Sequence, residues 1–166
     1  MKTKCPNHRR LSRQLAAVLA SPDAEAVISA AMRILEERSR HQSALSSPAS
    51  VRDYLRLALT GKEREEFWCV YLDAQHRVIA FESLFAGTLT QTSVYPREVV
   101  KYSLAHNAAA VIFAHNHPSG VAEPSRADEL LTQALKQALA LVDVKVLDHF
   151  IVAGAAGISF AERGLL

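Results

Sequence analysis

An unbroken apolar run at residues 108–114 most constrains how this chain can fold. Seven consecutive apolar residues predict a strand that is buried on both faces. The segment at 129–142 has helical composition and contains no helix breaker, so a helix is expected to follow the strand. Open α/β sheets bind their ligands beyond the ends of such strands. The residues between 114 and 129 are therefore the first place to look for a functional site.

Three side chains of metal-ligand type lie in that interval. His115 and His117 are two residues apart at the predicted strand end, so their side chains point to the same side. Asp128 falls in the first turn of the following helix. Two imidazoles and one carboxylate are the protein ligands of one type of catalytic zinc site, in which the fourth position stays open. Two other interpretations remain open: hydrogen-bonded loop histidines, and a helix-capping box formed by Ser125 with Asp128.

Other polar residues lie in apolar strands. Glu82 lies within the apolar segment 79–85, where a carboxylate is costly unless it is used. The alternative is an outward-facing position on that strand. Asp148 and His149 lie on a further predicted strand, and either support a metal ligand or form an ordinary buried hydrogen-bonded pair. Cys69 is expected to be a core residue.

The remaining pattern predicts a mixed β-sheet with helices packed on it, which is an α+β fold of the three-layer type. Helices are expected at 22–40, at 50–60 after a capping box of Ser50 and Asp53, and at 96–106. A hairpin is expected at 67–72 and 77–85, and two further strands at 143–152 and 158–161. The Ser-rich linker at 41–49 divides the chain into a helical extension, residues 1–45, and a main domain, residues 46–166.

Composition narrows the classes of function. With 49% apolar residues among 166, the chain can form a substantial core, and its net charge of +2 favours no particular partner. Two cysteines, Cys5 and Cys69, are too few for a disulfide framework and indicate a reducing compartment. No apolar run approaches the roughly 18 residues of a membrane span, and no signal peptide is recognisable. A soluble cytoplasmic protein is the expectation.

The combined pattern resembles the JAMM (MPN-plus) metalloprotease signature. Its elements are Glu82, the segment HNHP at 115–118 and the pair Ser125 and Asp128. A wider set of segments resembles the RadC branch of that superfamily: GT at 87–88, VYPREVV at 94–100, NAAA at 107–110, HNHPSG at 115–120, PSRAD at 124–128 and LDHFIV at 147–152. The similarity runs from about Ser46 to Leu166. Residues 1–45 are shorter than the helical region of full-length RadC proteins and lack its glycine-rich hairpin, so the chain is similar to the short RadC-like proteins.

The resemblance implies a site and a mechanism. His115, His117 and Asp128 would hold one Zn²⁺ per chain with a water as the fourth ligand. Glu82 would take the proton of that water and pass it to the leaving amine, and Ser125 would donate a hydrogen bond to the oxyanion. The substrate would be a protein or peptide, cleaved at a peptide or isopeptide amide.

Two other functions compete with amide hydrolysis. RadC proteins carry a DNA-repair label, which would imply nucleic-acid processing, but the basic residues of this chain form no concentrated patch and no interleaving with aromatic residues. A zinc-stabilised protein-interaction module is the other alternative, although all the metal-motif positions are filled. A zinc deaminase is excluded, because its HxE and PCxxC segments are absent from the sequence.

Overall fold

The structure is a computed structural model, and it describes residues 24–41, 48–59, 61–87, 94–154 and 156–166. These ranges contain four helices and five strands. In chain order they are α1 (Ala24–His41), α2 (Pro48–Leu59), β1 (Glu66–Leu72), β2 (Val78–Ala86), α3 (Pro96–Ala105), β3 (Ala110–Asn116), α4 (Arg126–Ala140), β4 (Lys145–Ala153) and β5 (Ala156–Ser159).

The five strands form one mixed sheet in the order β2-β1-β3-β4-β5. Only β3 and β4 pair in parallel, and α4 connects them; the other neighbours are antiparallel. The apolar run forms β3, the central strand, in which all seven residues are buried. The strand begins two residues later than expected. The turn after α3 includes Ala108, whose N–H donates to the carbonyl of Ser103.

Helices cover both faces of the sheet. On one face Val99 of α3 and Leu135 of α4 pack against β1 and β3. On the opposite face Leu55 and Leu59 of α2 pack against β1, β3 and β4. Cys69 is fully buried in the first of these two layers, as expected of a core residue. The predicted α+β fold, a mixed sheet between layers of helix, is confirmed.

Several element boundaries differ from the sequence-based expectation. Helix α2 begins at Pro48, so Ser50 lies inside the helix and the expected capping box with Asp53 is wrong. Proline suits the first turn of a helix because its missing N–H has no partner there. The last strand is Ala156–Ser159 rather than 158–161, because residues 160–164 turn back. The expected helix start at 21–23, most of the Ser-rich linker and Cys5 lie outside the described residues.

The topology brings several chain segments to one edge of the sheet. Strand β3 ends there, and the chain re-enters the fold at the start of α4 after residues 117–125. Because β1 is antiparallel to β3, the beginning of β1 lies at the same edge, with Phe67 opposite His115. The backbone N–H of His117 donates to the carbonyl of Val152 on β4 at 2.8 Å. None of the helices in the described ranges has the length and apolarity that crossing a membrane requires.

Candidate metal centre

Two imidazoles meet at the end of β3. Strand alternation sends His115 and His117 to the same face and Asn116 to the other. The Nε2 atoms of the two histidines are 2.9 Å apart. The His115 side chain is only 2% exposed and that of His117 is 16% exposed, so the pair lies at the boundary between core and solvent.

The first turn of α4 supplies the carboxylate. Ser125 is the N-cap residue, and the capping box expected from the sequence is present: the Ser125 Oγ accepts from the backbone N–H of Asp128, and the Asp128 carboxylate accepts from the backbone N–H of Ser125. The Asp128 Oδ2 also accepts from the Ser125 hydroxyl at 2.7 Å. The same carboxylate faces the histidines, with Oδ1 at 3.4 Å from His115 Nε2 and Oδ2 at 3.7 Å from His117 Nε2. Capping and metal ligation are thus compatible roles for Asp128.

This donor set fits a divalent metal ion. One ligand atom from each of His115, His117 and Asp128 lies within 4.8 Å of the others. Zinc–ligand bonds near 2.0–2.1 Å in tetrahedral geometry imply ligand–ligand separations of about 3.3 Å. The two Nε2 atoms are 2.9 Å apart and Asp128 Oδ1 is 3.4 Å from His115 Nε2, while the 3.7 Å contact with His117 Nε2 is made by the other carboxylate oxygen, Oδ2. The residues that the resemblance implied as ligands can therefore share one metal ion.

The tautomer of His117 also suits metal binding. Its Nδ1 lies 2.8 Å from the backbone carbonyl oxygen of Val121. A carbonyl oxygen can only accept, so Nδ1 carries the hydrogen and donates it. In the neutral ring Nε2 then has a free lone pair, and this is the atom that faces His115 and Asp128.

Burial keeps two of the site histidines uncharged. Desolvation lowers the pKa of His115 to about 4; the nearby Asp128 carboxylate opposes this shift, and His117 adds to it. Desolvation also holds the pKa of His149 well below its ordinary value, with further lowering from His115 and His117. A histidine must be neutral to bind a metal, so His115 is ready to act as a ligand at neutral pH.

The sequence left two interpretations open for Asp148 and His149: support of a metal ligand, or an ordinary buried hydrogen-bonded pair. In the structure the two side chains have different partners. His149 Nε2 lies 2.8 Å from Nδ1 of His115, so His149 directly contacts a candidate ligand. Asp148 accepts hydrogen bonds from the Ser159 hydroxyl and from the backbone N–H of Ala161, at 2.5 and 3.0 Å. Asp148 also accepts from the backbone N–H of His149 at 2.7 Å, so it links the turn after β5 to the strand position of His149.

Glu82 lies on the edge strand β2, two strands away from His115. It is paired in register with Cys69, which in turn faces Phe113, one same-face position before His115. Strand spacings place its Cα roughly 12 Å from that of His115. The Glu82 Oε1 is 3.1 Å from His106 Nε2, and the side chain is 39% exposed on the edge strand β2. The cost of burying this carboxylate is therefore smaller than the apolar sequence around it suggests.

A second glutamate, Glu65, directly precedes β1 at the sheet edge where β3 ends. Glu65 lies two residues before Phe67, whose ring stacks on His115 with 6.4 Å between the centroids. The Asn116 side chain accepts from the backbone N–H of Glu66 at 2.9 Å and donates to the carbonyl of Arg64 at 2.8 Å. Asn116 thus fixes the backbone on both sides of Glu65. Sequence reasoning did not single out Glu65, because its nearness to the end of β3 follows from the long-range pairing of β1 with β3.

Comparison with known proteins supports the assignment of the fold. A model of the RadC-like JAB domain matches residues 45–165. The chain belongs to the RadC-like JAB domain family. Relatives of this domain named UPF0758 protein include one from Thiobacillus denitrificans, 67% identical over 142 residues, and one from Nitrosomonas eutropha, 66% identical over 142 residues. Each alignment covers 86% of this chain and 63% of the relative, so the chain spans less than two thirds of those proteins' length.

In this RadC-like JAB domain, the structure brings together four of the five residues expected to be metal ligands or catalytic groups. His115, His117, Asp128 and Ser125 form one group, while Glu82 contacts His106 instead. The catalytic roles of Ser125 and Glu82 stay predictions. The group also includes His149, which contacts His115, and Thr132, which contacts His149 and was not singled out in the sequence.

Proposed function

We propose that this RadC-like JAB domain is a zinc-dependent hydrolase that cleaves an amide bond, peptide or isopeptide, in a protein or peptide. The observation that carries the proposal is the convergence of two imidazole Nε2 atoms and one carboxylate at a partly exposed sheet edge. This set of nitrogen and oxygen ligands is typical of catalytic zinc sites. The cytoplasm stays the proposed location, on the ground of the cysteine usage.

Each residue of the proposed site has a distinct task. His115, His117 and Asp128 hold the metal, which when bound supplies the Lewis acidity that lets a water ionise near neutral pH. Ser125 keeps the Asp128 carboxylate oriented through two hydrogen bonds of 2.7 Å, from its N–H and its hydroxyl. For Ser125 to stabilise an oxyanion as well, its hydroxyl must turn away from Asp128, because a hydroxyl donates only one hydrogen bond.

A carboxylate must also move the proton, and two glutamates are candidates. Glu82 has this role by resemblance; its register pairs it with Cys69 and through Cys69 with Phe113, and its carboxylate contacts His106 Nε2 at 3.1 Å. We favour Glu65, because it directly precedes β1 at the sheet edge where Phe67 lies opposite His115, and Asn116 fixes the backbone on both sides of it. In this role the carboxylate accepts a proton from the attacking water and delivers it to the leaving amine nitrogen.

The first experiment measures metal content. We expect one zinc ion per chain in protein purified without chelators, and its loss in the His117→Ala variant, which removes one of three ligands. His76→Asn is the matched control: His76 lies in an exposed turn with a φ of 59°, which asparagine tolerates. Wild-type protein without bound divalent metal would contradict the proposed site.

The second experiment tests cleavage and identifies the base. The purified protein is incubated with cell lysate, with and without chelator, and new protein termini are mapped. With a substrate in hand, Glu65→Gln should lower kcat by about 10²–10⁴-fold, the usual contribution of a general base. Glu82→Gln serves as the comparison and should cleave at close to the wild-type rate. The reverse result would return the role to Glu82.

The alternative functions give different results in the same assays. Chelator-sensitive cleavage of nucleic acid, without new protein termini, would indicate a nuclease. Bound zinc with no cleavage of either substrate class would indicate a zinc-stabilised interaction module. Only zinc retained in the glutamine variants, with amide cleavage lost in one of them, agrees with the proposed mechanism.

A further inference from the structure

A row of short polar contacts runs behind His115, away from the metal ligands' open side. His115 Nδ1 lies 2.8 Å from His149 Nε2, and His149 Nδ1 lies 2.7 Å from Thr132 Oγ1. The Thr132 hydroxyl donates to the backbone carbonyl of Asp128 at 2.6 Å. The exposed fractions of the three side chains are 2% for His115 and 0% for His149 and Thr132. Water is therefore excluded from these contacts.

The direction of each hydrogen bond in the row follows from the group at which the row ends, the backbone carbonyl of Asp128. The Asp128 carbonyl can only accept, so it takes the single hydroxyl hydrogen of Thr132. The Thr132 oxygen must then accept from His149, which places the hydrogen of His149 on Nδ1. An uncharged ring is favoured at a fully buried position, so Nε2 of His149 has a lone pair and accepts from Nδ1 of His115. The remaining nitrogen of His115, Nε2, is left with its lone pair directed at the site.

The rings around His149 are aromatic and offer no hydrogen-bond acceptor that could replace the Thr132 hydroxyl. The rings of Phe67, Phe113 and Phe160 surround His149 at centroid distances of 5.5, 6.0 and 4.8 Å. If the Thr132 hydroxyl were removed, the Nδ1–H of His149 would face apolar groups. An unsatisfied buried donor is costly, so the hydrogen would move to Nε2.

We propose that Thr132 and His149 are positioning residues that fix the tautomer of His115 for metal binding. The inference rests on the proposed metal site. The row of contacts begins at one ligand, His115 on β3, and ends on the backbone of another, Asp128 on α4. It therefore sets the distance between strand and helix ligands as well as the proton position on His115.

The test removes only the hydroxyl. Thr132→Val keeps the side-chain shape and should shift the hydrogen of His149 to Nε2, which forces the hydrogen of His115 onto its metal-binding nitrogen. Zinc affinity, measured by competition with a chromogenic chelator, should fall about 10–100-fold, as for other partners of ligand histidines. Thr132→Ser is the matched control, because it retains the hydroxyl and should keep the wild-type affinity.

A second readout is independent of metal and of activity. Nitrogen-15 NMR of the metal-free wild type should show the hydrogen on Nδ1 in both His115 and His149, and Thr132→Val should change both. Wild-type rings with hydrogen on Nε2 would overturn the proposal even if the valine variant failed to fold. So would a folded Thr132→Val protein with unchanged tautomers and zinc affinity. If the tautomers are as proposed and zinc binds, but no amide is cleaved, the proposed function fails while this inference stands.

Discussion

At the scale of single residues, the two ligand imidazoles approach each other through nitrogen atoms. The Nε2 atoms of His115 and His117 are 2.9 Å apart, and the hydrogen-bond partners at their Nδ1 atoms, His149 and the Val121 carbonyl, favour a lone pair on each Nε2. Two lone pairs at this distance repel each other, and a cation shared between them removes the repulsion. Metal binding should therefore stabilise the fold as well as prepare the site for chemistry.

This stabilisation can be measured as a shift in melting temperature. Zinc in excess at about 100 times its Kd should stabilise the native state by about 2.7 kcal/mol, since it binds the folded chain. For a domain of this size the melting temperature should rise by roughly 5–10 °C. His117→Ala should show no comparable shift, and an equal shift in that variant would place the zinc elsewhere.

The buried histidines also predict how stability depends on pH. His115 has a pKa of about 4 in the folded protein and an ordinary value of 6.5, so the unfolded chain binds a proton more readily. Its contribution to the free energy of unfolding is present in full above pH 6.5 and is lost as pH falls towards 4. His149, with its pKa lowered by the same burial, acts in the same direction.

Urea denaturation of the metal-free protein at pH 7.5 and pH 5 measures this dependence. The wild type should be less stable at pH 5, and His115→Gln should reduce the difference between the two pH values. An equal difference in both proteins would assign the pH dependence to other groups.

At the scale of elements, helix α4 links folding to the site through its first turn. Ser125 caps the helix and holds the Asp128 carboxylate. Ser125→Ala should cost about 1 kcal/mol of stability, the usual value for a lost N-cap. If Ser125 also donates to the oxyanion, kcat should fall about 10²–10³-fold, well beyond the effect of a small stability loss. Urea denaturation and single-turnover rates separate the two effects, and an unchanged rate would leave Ser125 with capping alone.

The elements also show how far the sequence predicts this site. The apolar run predicted a strand buried on both faces, and the positions of His115 and His117 at its end and of Asp128 in the next helix indicated a shared site, because local periodicity locates both elements. Glu82 and Glu65 could not be separated in this way. Which glutamate lies near the ligands depends on the register between β1, β2 and β3, and long-range pairing sets that register. The contact of His149 with His115 likewise depends on the parallel pairing of β3 and β4.

At the scale of the whole molecule, the core consists of the sheet with α2 on one face and α3 and α4 on the other. No residue of α1 whose exposure is described, 26–34, is buried. The helices α2 and α1 differ in this respect, since Val51, Leu55 and Leu59 of α2 lie in the core. The predicted division at residue 45 assigns α1 to the extension and α2 to the domain.

A fragment of residues 46–166 should therefore fold on its own. We expect it to melt cooperatively and to bind zinc as tightly as the whole chain, because the sheet and all three ligands lie within it. Calorimetry and the chelator competition assay measure both properties. An insoluble fragment, or one with weakened zinc binding, would make residues 1–45 part of the domain.

His115, Asn116 and His117 lie at the end of β3 and directly after it. Their side chains alternate between the two faces of the sheet. The odd positions supply ligands, and the even position holds the segment around Glu65. A single inserted or deleted residue in β3 would exchange the faces and abolish both roles at once. Substitution can change one role at a time, but changes in strand length cannot. An insertion or deletion in β3 should therefore remove both roles completely. Variants that keep one role and lose the other should arise only by substitution of single residues.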